Sequence, residues 1–254
     1  MRSRFPSASG ISYSFGPGPL TPAIKILIIV NVIAFVADYL APSAGLQPTL
    51  GLNPRDVLTR LHIWQPLTYM FLHVGFSHIL FNMLALWMFG VELERMWGTK
   101  QFAKYYFICG VGAAATTLVL SLVPGSLGAQ LFNSLTVGAS GAVYGILLAY
   151  AMYFPNRPIY IYMIFPIPAK YFVMIMGAIS LLSSVGGQGG GIAHTTHLGG
   201  LLVGYLYLKG MKGNRVHVLS EIQYRFLKWR INRMRRKFDV YSGGRADDVD
   251  RRMH

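Results

Sequence analysis

The sequence predicts an all-α integral membrane protein, a bundle of six transmembrane helices with both chain ends on the inner side (N-in/C-in). Three observations lead there. Six separate apolar stretches approach the roughly 20 residues that a helix needs to cross a hydrocarbon core about 30 Å thick. Hydrophobic residues make up 53% of the 254 and charged residues only 13%, against roughly 25% charged in soluble domains. The formal net charge of +14 lies outside the apolar stretches: 13 of the 23 Lys and Arg fall in 209–254, and Met96 to Ser220 holds no acidic residue. A soluble nucleic-acid binder would spread its basic residues over a solvated face, so no nucleic-acid partner is expected. The apolar content excludes an intrinsically disordered chain. A single cysteine, Cys109, excludes an internal disulfide scaffold and a multi-cysteine metal cluster.

Three regions follow in order: a polar Gly/Pro/Ser-rich segment over 1–21, a six-span domain over 22–208, and a basic tail over 209–254. The spans are Pro22–Leu40, His78–Met96, Ala103–Val123, Ser140–Phe154, Ala169–Val185 and His194–Leu208. The first reads as a span and not as a cleaved signal, because about 20 polar residues precede it and no small-x-small site follows. Inner segments hold Arg2, Arg4 and Lys25, then Arg95, Lys100 and Lys104, then Arg157 and Lys170, then the tail. The outer connections hold only Arg55 and Arg60, and this asymmetry sets the orientation. Ala41 to Ser77 is too long for a turn. It mixes prolines with Leu58, Leu61, Trp64, Tyr69 and Phe71, which suits the outer interface. The fifth connection, Gly186–Gly191, is glycine-dominated, a linker or a mobile lid.

Polar residues inside membrane spans are candidate functional sites. His78 and Asn82 in the second span, Ser140 in the fourth and His197 in the sixth each lie 12 to 14 residues from the inner boundary. At 1.5 Å per residue that is roughly 18–21 Å, so all three sites converge about 10 Å below the outer surface. Gly141 and Gly145 form a G-x-x-x-G one and five residues after Ser140; Gly200 and Gly204 form another after His197. Such motifs let membrane helices approach closely. If these two faces meet, the serine hydroxyl reaches the imidazole.

Serine with a neutral histidine as general base is a nucleophilic acyl-transfer pair. His78 and Asn82 share a helix face at i, i+4. They can donate to a developing oxyanion together with the Ser140 backbone N–H, or they can simply join two helices. The outer half offers only Asp38 and Asp56 as acids, and none follows Glu94 until Glu221, so a Ser–His dyad is expected in place of a triad. Tyr144, one turn after Ser140, is either a platform for the imidazole or a filler. His194 is an alternative base or a bystander. There is no H-E-x-x-H, and no metal or cofactor is expected.

These residues resemble those of the rhomboid intramembrane serine proteases. The resemblance runs from Trp64 to about Leu208. It rests on W-Q-P-L-T-Y-M-F-L-H-V-G-F-S-H-I-L-F-N with His73, His78 and Asn82, on E-L-E-R-M-W-G, on G-A-S-G-A-V-Y-G with Gly138 and Ser140, and on A-H-T-T-H-L-G-G-L-L-V-G with His197. It implies a rhomboid-like bundle acting as a serine endopeptidase on transmembrane segments of other proteins. Ser140 would be the nucleophile, His197 the base, His78 and Asn82 the oxyanion donors and Tyr144 the stacking tyrosine. Gln65 departs from the arginine that some members carry after the loop tryptophan. A catalytically silent, helix-binding member of the family is the competing reading, and the intact Ser/His pair argues against it. In the tail, Leu219, Ile222, Phe226 and Trp229 recur at helical spacing among basic residues, which suits either an amphipathic helix on anionic lipid or a solvated, disordered tail, with RNA contact a distant third. A six-span chain of this size suggests a bacterial plasma membrane.

Overall fold

The computed structural model describes residues 16–161, 164–185 and 194–211. Residues 1–207 form one compact unit and 208–254 a second. Of the second, only 208–211 are described, and they are helical. The glycine run 186–191 and the amphipathic pattern of the tail lie outside the described residues.

The described part of the first unit is mostly helical. α1 (Pro22–Leu40) starts at an extended Thr21 with proline in its first turn, where the ring's missing N–H costs nothing. The 41–75 connection folds as short pieces: a 3-10 turn (Pro42–Ala44), α2 (Leu46–Leu50), α3 (Pro54–Arg60), α4 (Gln65–Thr68) and a 3-10 turn (Tyr69–Phe71). Asn53 caps α3, its side chain accepting from the Arg55 and Asp56 N–H groups. Gln65 is fully buried. Its side chain accepts from Asn53 N at 3.0 Å and reaches the Thr49 carbonyl at 3.4 Å. A neutral amide therefore ties this connection together.

α5 (Phe76–Trp97) and α6 (Thr99–Ser121) follow, joined by Gly98 at φ +80. They begin before the expected starts at His78 and Ala103, α5 by Phe76 and Ser77 and α6 by the polar residues Thr99, Lys100 and Gln101 with Phe102. Glu94 secures this corner. Its carboxylate accepts from the Thr21 hydroxyl, from Ala23 and Ile24 N–H at 2.9 and 3.1 Å, and from Thr99 Oγ1 at 2.8 Å. An anion at the start of α1 complements the free amides and the helix dipole there.

After α7 (Ser126–Phe132), α8 (Ser140–Tyr153) is only 14 residues long, and ten of those are buried. Then comes a two-stranded antiparallel ribbon, β1 (Pro158–Ile161) with β2 (Phe165–Pro168), registered Tyr160↔Pro166. This ribbon was not expected from the residue pattern. α9 (Ala169–Val185) matches the expected fifth span. α10 covers 194–211, of which 194–207 belong to the first unit. By length and composition α1, α5 and α6 are long and apolar enough to cross a membrane, while α8 and α9 are shorter apolar helices.

Candidate active site

The two glycine motifs meet. A Cβ at Gly200 would overlap the Gly141 carbonyl oxygen, and one at Gly204 would lie 3.3 Å from the Gly145 Cα. A Cβ at Gly145 would fall 2.5 Å from Cys109 Sγ of α6. Only hydrogen at these positions lets α8 and α10 touch backbone to backbone while α6 closes on both.

That contact brings Ser140, the first residue of α8, to the first turn of α10. Ser140 Oγ and His197 Nε2 are 2.8 Å apart. The Tyr144 ring lies flat on the imidazole, with centroids 4.2 Å apart and planes 8° from parallel. Ser180 of α9, fully buried, donates its hydroxyl to the Tyr144 oxygen at 3.3 Å, a long bond by the usual standard. His194 meets His197 edge-on, with ring centroids 5.6 Å apart.

Gly138 serves the site twice. Its φ of +126 suits glycine, and a Cβ there would lie 2.7 Å from His78 Nε2 and 3.7 Å from Ser140 Oγ. His78 Nε2 therefore faces the backbone just before the serine. Gly138 N–H donates to the Tyr69 carbonyl at 2.9 Å, and Tyr69 OH donates to Gly110 O at 2.7 Å, pinning this turn between the first connection and α6. Ala139 offers α8 no side-chain cap, so the first-turn N–H groups beside Ser140 stay available to an anion. Asn82 is buried on the His78 face of α5, but its amide donates to the His78 carbonyl at 2.9 Å. One of its two hydrogens is thus already engaged.

Some contributors escaped the sequence reading. Ser180 is one. Thr196 is another: its hydroxyl meets Thr117 Oγ1 at 2.9 Å, and Thr117 bonds the Ala113 carbonyl. This fixes the start of α10 to α6 one residue before His197. Their signal was present, since each is a polar residue within an apolar helix. Among the described residues, no three His, Cys, Asp or Glu side chains gather as a metal site would require.

Residues 60–212 match the Rhomboid domain family. This chain belongs to the rhomboid family. It is an integral membrane protein. Similar proteins include the Rhomboid protease GluP of Bacillus subtilis, 29% identical over 61% of this chain and 27% of the relative. Rhomboid protein 1, mitochondrial, of Saccharomyces cerevisiae is 31% identical over 54% of this chain and 38% of the relative. The Rhomboid protease AarA of Providencia stuartii is 29% identical over 80% of this chain and 75% of the relative. The chain thus spans well under half the length of the first two.

Proposed function

We propose that this rhomboid is an intramembrane serine endopeptidase that hydrolyses a peptide bond in the transmembrane segment of another protein. The observation that carries the reading is the 2.8 Å contact between Ser140 Oγ and His197 Nε2 under the Tyr144 ring. In the reaction, His197 Nε2 takes the hydroxyl proton as Oγ bonds to the carbonyl carbon. The oxyanion accepts hydrogen bonds from the Ser140 N–H and from His78 Nε2–H, with the remaining Asn82 amide hydrogen as third donor. As the C–N bond breaks, the imidazolium returns its proton to the leaving amine. Water then attacks the acyl carbon, giving a proton to Nε2, and Ser140 regains it as the acid departs. His197 Nδ1 is buried and has no hydrogen-bond partner among the described residues. The flat Tyr144 ring stabilises the transient cation through its π face, so no carboxylate is required.

The wider reading keeps the charge pattern: six spans over 22–208, N-in and C-in, a polar segment over 1–21, and a basic tail over 209–254 against anionic lipid of a bacterial plasma membrane. Purified protein in detergent with a single-span substrate tests the chemistry. Ser140→Ala and His197→Ala each lower kcat by about 10³-fold or more, while His194→Ala keeps most activity. Cleavage retained by both of the first two variants overturns the assignment.

A further inference from the structure

The β1–β2 ribbon between α8 and α9 is apolar throughout. From Pro158 to Pro168 the sequence holds no Asp, Glu, Lys, Arg or His, while Arg157 and Lys170 stand at its two ends. Both strands pack against α9, and Ile159 is buried. Tyr160, Ile164 and Phe165 are instead 58%, 69% and 63% exposed. A hairpin standing in water would carry polar residues at such positions, and a cluster of exposed apolar side chains marks a contact surface.

The strand register decides what can cover it. Opposed residues in an antiparallel pair alternate between those that exchange both N–H···O bonds and those whose N–H and C=O groups point away from the partner strand. Proline has no N–H, so Pro158↔Pro168 and Tyr160↔Pro166 are of the second kind. The Ala169 N–H donates to the Arg157 carbonyl at 2.9 Å, which continues the ladder in the same phase. The outward positions of the two strands are therefore 158, 160, 166 and 168, and three of these are proline. Among the described strand residues, only the Tyr160 amide carries a hydrogen outward. A further strand, from a second copy or another protein, would find one donor on the β1 edge and none on the β2 edge.

The outward carbonyls remain, and an open sheet edge is not tolerated in the hydrocarbon core. They require water or headgroups close by. Arg157 is held by Glu92. Lys170 is exposed, its ammonium 5.0 Å from the centroid of the Tyr171 ring, and its long side chain can carry that charge to a lipid phosphate. Apolar side chains that favour lipid, carbonyls that need water and a lysine beside a tyrosine are satisfied together at the headgroup–acyl boundary, where aromatic rings gather.

We propose that the β1–β2 ribbon is a membrane-interface anchor: Tyr160, Ile164 and Phe165 enter the outer part of the acyl layer, the strand edges stay at headgroup level, and Lys170 meets lipid phosphate. The prolines suit the ribbon to this place by removing amide hydrogens that lipid would leave unbonded. This contact is separate from the proteolytic chemistry and holds on either side of the bilayer.

The test is spin-label EPR of the full chain in vesicles of phosphatidylethanolamine and phosphatidylglycerol. Cys109 is the sole cysteine, so Cys109→Ala gives the background. Nitroxides are attached singly at Tyr160→Cys and Ile164→Cys, with the exposed Asn156→Cys as reference. Oxygen, which concentrates in lipid, relaxes the labels at 160 and 164 more strongly than an aqueous nickel chelate does, and the order reverses at 156. Lys170→Glu lowers the oxygen preference at 164; an unchanged preference overturns the part given to Lys170. A label at 160 or 164 that responds to nickel as strongly as the one at 156 places the ribbon in water and overturns the anchor. A label shielded from both probes reports cover by protein, either the tail or a second copy, and overturns it equally.

Discussion

The proposed base must hold one orientation while its charge changes, and the His197 ring lies flat against Tyr144. Stacked aromatic pairs contribute about 0.5–1.5 kcal/mol beyond their burial, so Tyr144→Ala lowers kcat roughly two- to tenfold with KM little changed. Tyr144→Phe keeps the ring and loses only the 3.3 Å contact with Ser180. It retains near-normal kcat if the stack governs orientation. A loss in Tyr144→Phe equal to that in Tyr144→Ala transfers the role to Ser180. The Ser140–His197 pair was legible in the sequence because depth can be counted from boundary charges. Ser180 and Thr196 stood out only as polar residues within apolar helices, with nothing in the chain to name their partners 36 and 79 residues away.

At the scale of elements, the glycines of α8 and α10 set how closely Ser140 and His197 can approach. A methyl group at Gly200 meets the Gly141 carbonyl, which is backbone and cannot rotate aside. Overpacking of this kind costs about 1–3 kcal/mol. Gly200→Ala therefore lowers both the Tm and the activity. Gly75→Ala leaves the Tm in place, since among the described residues nothing lies within 4 Å of a Cβ there and its backbone is extended. Equal losses in the two variants would show that the helix contact is not the controlling feature. The long apolar helices α1, α5 and α6 were legible from hydropathy, and α8 with α10 from their glycine spacing. The pieces α2, α3 and α4 span four to seven residues, too few for a period to register. The ribbon was hidden because Pro158, Pro166 and Pro168 interrupt its apolar run.

For the molecule as a whole, the charge asymmetry makes a prediction about sidedness. Cys109 is buried, so Cys109→Ala provides a background for single introduced cysteines. In intact cells, an impermeant maleimide labels Thr59→Cys, which is exposed in α3. It labels Ser242→Cys in the tail only after permeabilisation. Labelling of both in intact cells, or of the tail alone, overturns the N-in/C-in arrangement.

The brevity of α8 also bears on how the protein sits in lipid. At 14 residues it is about 21 Å long, against about 34 Å for the 23 residues of α6. Its burial shields it from the surrounding acyl chains. A helix on the lipid boundary must tilt or deform the bilayer when lengths disagree, whereas one sheathed by its neighbours takes its height from them. Lipids of different thickness would then slide against α5 and α6 while Ser140 keeps its height relative to His197. The depth of Ser140 is thus a dimension of the protein and not of the membrane around it.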